Sequence, residues 1–171
     1  MALVLAKNNF KIAKTQVVVS NNIYEDAQFE IQKIMDGLAT AAITPDKVKE
    51  IEIIRKVCQK GKARKVKLTK VDIFLENKTG ELFLFDLKSA KPNIGEFKGF
   101  KRTLLEWAAV TLASNPKVKI NTLIAIPYNP YEPKPYMRWT MRGMFDLDKE
   151  LKVANEFWDL IGGNGTYQDC L

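Results

Sequence analysis

The sequence contains no histidine among its 171 residues. This absence excludes Ser-His-Asp and Cys-His nucleophilic schemes, histidine general bases and histidine-ligated transition metals. The two cysteines, Cys58 and Cys170, lie far apart in the chain and share no ligand-like spacing, so the sequence indicates neither a disulfide framework nor a zinc site. Any chemistry must therefore use carboxylates, lysine or a bound metal ion.

The chain also lacks long apolar runs. No stretch reaches the ~18 consecutive apolar residues that a membrane-spanning helix requires. The apolar opening of the chain is broken at Lys7 and is too short for a signal peptide. Because 46% of the residues are apolar, the chain has enough material for one core. We therefore expect a cytoplasmic protein without a membrane partner, folded as a single domain over residues 1–171.

Positive charge is concentrated in one segment. The net charge is +7, and eight basic residues without any acid lie between Arg55 and Lys70. These residues are Arg55, Lys56, Lys60, Lys62, Arg64, Lys65, Lys67 and Lys70. Such a segment raises the affinity of a protein for polyphosphates or for an anionic membrane surface. The alternative is an ordinary solvated loop.

Periodic apolar residues place the first helices and strands. Thr15–Ser20 is rich in β-branched residues and predicts a strand, and the apolar spacing that follows predicts a helix over about 23–42. A second helix begins with Thr44 as its N-cap and Pro45 at its first helical position. Its predicted inward residues are Val48, Ile51, Ile54 and Val57. The basic segment is predicted to follow this helix as a loop.

The strongest local pattern is a β-hairpin over Val71–Lys88, in which two apolar strands flank the turn Asn-Lys-Thr-Gly. A two-residue loop would place Asp72 and Asp86 on opposite faces. A three-residue loop, with Gly80 in the left-handed region as a bulge, places them on the same face. The second register also separates one wholly apolar face from the other, so we predict that register. Lys88 then lies two residues from Asp86 on the same face.

The second half of the chain alternates helices and strands as well. We predict a helix from Glu96 to Ala113 and a strand from Lys119 to Ile126, and the helix-long connection favours parallel pairing with the hairpin. An irregular loop follows. The remaining predicted elements are a short helix over Tyr136–Phe145 and an amphipathic helix over Asp148–Ile161.

Asp72, Asp86 and Lys88 form a candidate centre for phosphodiester hydrolysis. Two facing carboxylates repel each other, and a hard divalent cation such as Mg²⁺ would compensate that repulsion. Lys88 would lie within reach of the attacking water and the scissile phosphate. The alternative is that both aspartates are exposed strand-end residues and that Lys88 forms a surface ion pair.

The same residues resemble the PD-(D/E)XK nuclease superfamily, in which an acid opens one strand and an acid-x-Lys triplet lies on the next. Here the motif reads Val71-Asp72 and Asp86-Leu87-Lys88, so valine replaces the proline and aspartate replaces the commoner glutamate. The wider sequence VDIFLENKTGELFLFDLKSAKPNIGEFKGFKRTLLEW, with DAQFEIQKIMD before it and PYEPKPYMRWTMRGMFDLDKEL after it, resembles the TdeIII-type type II restriction endonucleases. The resemblance covers roughly residues 22–170.

The resemblance implies a Mg²⁺-dependent, sequence-specific endonuclease of double-stranded DNA. It implies an α/β fold with a central mixed β-sheet flanked by helices, which is a restriction-endonuclease-like core. It places metal ligation on Asp72 and Asp86, and water positioning or charge stabilisation on Lys88. Glu30 is the candidate for an additional catalytic, metal-binding acid from an early helix, and the alternative is an ordinary, partly exposed helix residue. Symmetric cutting of both strands needs two active sites, so we expect a homodimer.

Basic and polar residues after the hairpin are candidates for DNA contacts. Candidates for phosphate binding are Lys91, Asn93, Lys98, Lys101 and Arg102, which surround the start of a predicted helix. The alternative for this set is a solvated helix face. Arg138 and Arg142 are four residues apart in a predicted helix and are candidates for contacts to guanine edges. The alternative for Arg138 is packing on Trp139 or pairing with Asp146 or Asp148.

Two other functions fit the same sequence. A repair or recombination nuclease of the same superfamily would recognise DNA structure instead of a base sequence. A non-catalytic, basic DNA-binding domain would carry the hairpin acids incidentally. The substitution Asp86→Ala separates these possibilities, because only a nuclease would lose cleavage while keeping DNA binding.

Overall fold

Helices and strands alternate along the chain in the computed structural model, which describes residues 1–91, 93–138 and 141–170. The helices are α1 (Ala2–Asn9), α2 (Glu25–Ala39), α3 (Lys47–Val57), α4 (Phe97–Ser114), α5 (Leu147–Glu150), α6 (Asn155–Gly162) and α7 (Thr166–Cys170). The strands are β1 (Ile12–Val17), β2 (Asn22–Tyr24), β3 (Ala63–Lys65), β4 (Val71–Glu76), β5 (Leu82–Leu87), β6 (Ile120–Ile126) and β7 (Leu151–Val153).

A mixed sheet of five strands, in the order β1-β4-β5-β6-β7, forms the centre of the fold. β1, β4 and β5 pair antiparallel, whereas β5, β6 and β7 pair parallel. The connection between β5 and β6 contains α4, so the predicted parallel pairing of these strands is confirmed. The predicted α/β fold with a central mixed sheet flanked by helices is also confirmed.

Helices cover both faces of the sheet. On one face, α4 packs against β6, and α2 and α3 pack against α4. On the other face, α1 packs against β1 and α6, and the ring of Phe157 in α6 meets Phe85 of β5 edge to face, with 5.5 Å between centroids. Burying one such phenylalanine stabilises the fold by about 2–3 kcal/mol. Burial on both faces explains why β4 and β5 are almost wholly apolar.

The β4–β5 hairpin has the predicted register. The Asn77 N–H donates to the Glu81 carbonyl at 3.0 Å, and the Gly80 N–H donates to the Asn77 carbonyl at 3.1 Å. Gly80 has φ +85°, a conformation that residues with a Cβ rarely adopt. Ile73 lies opposite Phe85, so the next step of the same register brings Asp72 and Asp86 together.

Helix α3 begins later than the sequence predicted. Its N-cap is Asp46, whose carboxylate accepts a hydrogen bond from the Lys49 N–H at 3.0 Å. Thr44 precedes a proline, and this position disfavours helical backbone, so the chain stays extended as far as Asp46. The prediction that Val48 faces inward is wrong, because it is 62% exposed, whereas Ile54 is fully buried.

The predicted helix over Asp148–Ile161 is wrong as a single element. It is divided into α5, β7 and α6, and β7 adds a fifth strand beside β6. Leu151 and Val153 are buried on either side of a partly exposed residue, which is the period of a strand. Ala154, at φ +48°, then turns the chain from β7 into α6.

Other elements also differ from the sequence-based expectations. The predicted helix over Tyr136–Phe145 is wrong for residues 136–138 and 141–145, which form turns and irregular backbone, while Trp139 and Thr140 lie outside the described residues. β1 begins and ends three residues before the predicted strand. α1 was not expected, and β3 lies in the basic segment predicted as a loop. None of the helices in the described chain has the length and apolarity needed to cross a membrane.

Candidate active site

The carboxylates of Asp72 and Asp86 meet where β4 begins and β5 ends. Asp72 is the second residue of β4, and Asp86 is the last but one of β5. The Leu87 N–H donates to Asp72 Oδ2 at 2.8 Å, so the side chain of Asp72 reaches the neighbouring strand. Two adjacent strands therefore hold the two carboxylates at one end of the sheet.

Gln16 of β1 holds the other oxygen of Asp72. Its Nε2 donates to Asp72 Oδ1 at 3.0 Å. Thr15 and Val17 pair with Ile73 and Val71, so Gln16 lies beside Asp72 across the strands. Gln16 has φ +53°, which costs a non-glycine residue about 1–2 kcal/mol and is a conformation often found at functional sites. Sequence reasoning missed this residue, because its role follows from the pairing of β1 with β4.

Asp86 is a buried carboxylate in an unfavourable electrostatic position. It is 5% exposed. Burial raises the pKa of Asp86 above its ordinary value, and the neighbouring Asp72 raises this pKa further, although Lys88 acts in the opposite direction. A cation bound between the two carboxylates would offset both the burial and the repulsion.

Lys88 is the cation nearest to Asp86 among the ion pairs of the described chain. Its Nζ lies 3.1 Å from Asp86 Oδ1, and the side chain is 25% exposed. The same Nζ lies 4.0 Å from the centroid of the Phe100 ring, which adds a cation–π contact from α4. The alternative of an exposed surface pair does not fit, because the Asp86 side chain is only 7% exposed.

The donors at this end of the sheet fit a hard divalent ion. Asp72 and Asp86 offer carboxylate oxygens, and Mg²⁺ is commonly bound through one or two carboxylates while its other positions hold water or phosphate. Across residues 1–91, 93–138 and 141–170, no group of three or more His, Cys, Asp or Glu side chains could hold a metal ion. The two aspartates thus supply two carboxylates as candidate metal ligands.

Glu30 does not join the two aspartates. Its Oε1 pairs with Lys33 Nζ at 3.2 Å on the same helix, and its side chain is 25% exposed. Among the described residues, Glu30 forms no three-acid group with Asp72 and Asp86, so its role as an additional catalytic acid and metal ligand stays a prediction. The environment of Glu30 matches the alternative of an ordinary, partly exposed helix residue.

The structure also corrects the prediction that Lys101 contacts DNA phosphate. Lys101 is fully buried, and its Nζ lies 2.7 Å from Glu150 Oε2 and 2.5 Å from Glu50 Oε1. Lys47 Nζ pairs with Glu150 Oε1 at 2.8 Å. These four side chains form a buried ion cluster, made of Lys47, Glu50, Lys101 and Glu150, that joins α3, α4 and α5. The sequence spacing that suggested a helix face could not reveal partners from two other helices.

Burial and neighbouring charges shift the pKa values of the side chains in the buried ion cluster. Burial raises the pKa of Glu50 and lowers the pKa of Lys47. Burial alone would also raise the pKa of Glu150, but the two lysines beside it lower that pKa below its ordinary value. The cluster holds two cations and two anions, which favours a structural role.

The other four residues predicted to bind phosphate lie around the start of α4. Lys91, Asn93 and Lys98 are exposed. Lys91 Nζ lies 5.5 Å from the centroid of the Tyr131 ring, and Arg102 donates to Gln32 Oε1 at 2.7 Å. All four follow β5, the strand that carries Asp86. Contacts from these residues to a phosphate bound near Asp86 stay a prediction.

Arg138 and Arg142 do not share a helical face. Arg138 pairs with Glu156 Oε2 at 2.8 Å, so neither Asp146 nor Asp148 is its partner. Arg142 is exposed and lies in a turn. Because no α-helix covers the described residues of this segment, the helical argument for contacts from this pair to guanine is wrong. Because Arg142 is exposed, its side chain is accessible to DNA.

Comparison with protein families gives a match over the whole chain. The family model described as type II restriction endonuclease, HinfI, matches residues 1–171. The matched range includes both strands of the candidate site and the Gln16 position.

Comparison with individual proteins gives similar results. The chain is 25% identical over 146 residues to the type II restriction enzyme MjaII of Methanocaldococcus jannaschii, which covers 78% of this chain and 39% of that enzyme. It is 26% identical over 106 residues to the type II restriction enzymes HgiEI and HgiCII of Herpetosiphon aurantiacus, which covers 61% of this chain and 38% of each of those enzymes. The chain thus spans about two-fifths of the length of these curated relatives.

Proposed function

Since the chain belongs to the HinfI family of type II restriction endonucleases, we propose that it hydrolyses phosphodiester bonds of double-stranded DNA at a specific sequence, with Mg²⁺ as its cofactor. The observation that carries the proposal is the pairing of a buried Asp86 with Asp72 across adjacent strands, with Lys88 Nζ 3.1 Å from Asp86. The names of the relatives, which are type II restriction enzymes, support the same reaction.

Asp72 and Asp86 would hold the metal ion. When bound, Mg²⁺ would polarise the scissile phosphate and lower the pKa of the attacking water. Asp72 is fixed from two sides, because Leu87 N–H and Gln16 Nε2 each donate to one of its oxygens. Its carboxylate is thereby oriented before any ligand arrives, which reduces the cost of arranging the site.

Lys88 would neutralise charge at the phosphate. Its ammonium group lies between the buried Asp86 and the Phe100 ring, and a quarter of the side chain is exposed. From this position it can donate to a phosphate oxygen and stabilise the additional negative charge of the transition state. The same group can orient the attacking water.

The experiment that tests the function is incubation of the protein with plasmid and phage DNA of diverse sequence. We expect discrete fragments with Mg²⁺, none with EDTA, and none with a Lys88→Ala variant that remains folded. Absence of any Mg²⁺-dependent cutting by well-folded protein would contradict the proposal. Cutting restricted to branched or nicked DNA would replace the restriction function with that of a repair or recombination nuclease.

We also propose that the active form is a homodimer. Cutting both strands at a symmetric site requires two active centres related by a two-fold axis. Sedimentation with and without duplex DNA tests this, and a protein that cuts both strands while sedimenting as a monomer in both conditions would contradict it.

A further inference from the structure

The basic segment of the sequence forms an exposed ribbon and the connection that leads to β4. β3 pairs antiparallel with β2, with Asn22 opposite Lys65 and Tyr24 opposite Ala63. Residues 59–65 are exposed, and so are Lys67 and Lys70. We call β2, β3 and residues 66–70 the basic ribbon.

The basic ribbon leads directly into the end of β4 that carries Asp72. The pairing of β1 with β4 reaches Val17 opposite Val71. The Val66 N–H donates to the Asn21 carbonyl at 2.8 Å, and the pairing of β2 with β3 continues from there. The chain segments 12–24 and 63–76 therefore pair with each other twice, once through β1 and β4 and once through β2 and β3, with a short gap between the two pairings. Since a strand advances about 3.3 Å per residue, Lys67 and Lys70 lie within about 20 Å of Asp72 along the chain.

The basic ribbon is anchored to the core on one side. Ile23 of β2 is 1% exposed and belongs to the main hydrophobic core, and β2 packs against α4. Trp107 Nε1 of α4 donates to the Thr69 carbonyl at 2.9 Å, which fixes the connection to β4. The exposed lysines are thus presented on an ordered backbone, so little backbone entropy is lost when a ligand binds.

The lysines of the basic ribbon carry charge that the described protein does not neutralise. Arg64 NH2 pairs with Glu25 Oε1 at 2.8 Å. In contrast, no carboxylate of the described residues lies within ion-pair distance of Lys65, Lys67 or Lys70. These three side chains can therefore replace the counterions of a polyanion.

We propose that the basic ribbon binds the phosphate backbone of duplex DNA next to the active site, through Lys65, Lys67 and Lys70. The inference rests on the proposed nuclease function, since it assigns part of the substrate surface. It also supplies a phosphate surface in place of Lys101, which is buried in an ion cluster. An anionic bilayer is the less suitable partner, because none of the large exposed apolar residues in the described chain lies within residues 59–70.

The experiment measures binding of the whole protein to a short fluorescent duplex of mixed sequence, by anisotropy, in EDTA and at a series of KCl concentrations. The test variant is Lys65→Gln/Lys67→Gln/Lys70→Gln. The matched control is Lys78→Gln/Lys117→Gln/Lys149→Gln, which removes the same charge from exposed positions on other parts of the surface.

We expect the slope of log affinity against log salt concentration to fall in magnitude by about 2.7 for the test variant, because each lost phosphate contact removes about 0.9. If the affinity extrapolated to 1 M salt is unchanged, affinity near 0.1 M salt should fall by on the order of 500-fold. The control triple should change both quantities much less. An unchanged slope in the test variant, or an equal loss in the control, overturns the proposal.

Two further measurements keep the inference testable. The first is acetylation of lysines in the wild-type protein, followed by mass spectrometry. Duplex DNA should protect Lys65, Lys67 and Lys70 from acetylation but not Lys78 or Lys117. Equal labelling of the three ribbon lysines with and without DNA overturns the proposal even if the triple variant misfolds. Stronger competition by anionic phosphatidylserine vesicles than by duplex DNA would also overturn it. If the wild-type protein cuts DNA but the test variant keeps the wild-type salt slope of DNA binding, only the proposed role of the basic ribbon is contradicted. If the wild-type protein neither binds nor cuts DNA, the proposed function itself is contradicted.

Discussion

The buried ion cluster makes a sharp prediction about Lys101. The substitution Lys101→Met keeps the length of the side chain and removes its charge, so Glu50 and Glu150 remain buried with Lys47 as their one nearby cation in the cluster. Removing one member of a buried ionic network typically costs about 3–5 kcal/mol, because an uncompensated charge stays in a low-dielectric environment. In a chain of this size, 1 kcal/mol changes the Tm by about 2–4 °C. We therefore expect the Tm to fall by roughly 10 °C.

A second substitution tests whether the loss is electrostatic. Adding Glu50→Gln to Lys101→Met removes one unpaired acid and leaves the Lys47–Glu150 pair, whose atoms lie 2.8 Å apart. The double variant should therefore be more stable than Lys101→Met alone, giving a non-additive cycle. The exposed Lys98 on the same helix is the matched control, and Lys98→Met should change stability by no more than about 0.5 kcal/mol.

Thermal and urea unfolding measure these effects, and DNA anisotropy separates them from substrate binding. If Lys101→Met leaves the Tm within about 2 °C of the wild type while reducing the salt slope of DNA binding by about 0.9, then Lys101 is a phosphate contact and the structural reasoning fails. A double variant no more stable than Lys101→Met would refute the electrostatic explanation in particular.

Three further predictions concern the site and its hairpin. Without metal, Asp86→Asn should raise the Tm at pH 7, because burial raises the pKa of Asp86 and disfavours its charged form. This gain in Tm should disappear as the pH falls toward 3.8, the ordinary pKa of an aspartate, because Asp86 is then protonated. An unchanged Tm at pH 7 would contradict the prediction. Gln16→Ala should weaken Mg²⁺ binding by about 10-fold in calorimetry without changing DNA binding in EDTA, since Asp72 loses one of its two donors; equal metal affinity would refute this role. Gly80→Ala should destabilise the protein by about 1–2 kcal/mol in urea unfolding because of its positive φ, whereas Gly99→Ala inside α4 should not, and equal effects would count against the bulge.

The hairpin was predictable because its information is local. Alternating apolar residues, a glycine at the bulge and the positions of Asp72 and Asp86 together allow one register that segregates the faces. The structure has that register. The parallel partner β6 was predictable for a similar reason, since a connection of helical length separates it from β5.

The features that sequence reasoning missed depend on distant parts of the chain. Lys101 sits on an amphipathic helix, but its partner Glu150 lies 49 positions away. Gln16 becomes part of the site because β1 pairs with β4, and its left-handed backbone has no sequence signature. Leu151–Val153 is too short for its alternation to be distinguished from helical spacing, so β7 was predicted as part of a helix.

The most direct test of the account is the single-turnover cleavage rate of an Asp86→Asn variant with saturating protein and Mg²⁺. The exposed Asp148 provides the matched control as Asp148→Asn. If Asp86 helps to hold the metal ion at a nuclease centre, Asp86→Asn should lower the rate by on the order of 100-fold or more, at equal DNA binding, while Asp148→Asn cuts at the wild-type rate. Cleavage by folded Asp86→Asn protein at the wild-type rate would contradict the assignment of the active site to the β4–β5 hairpin.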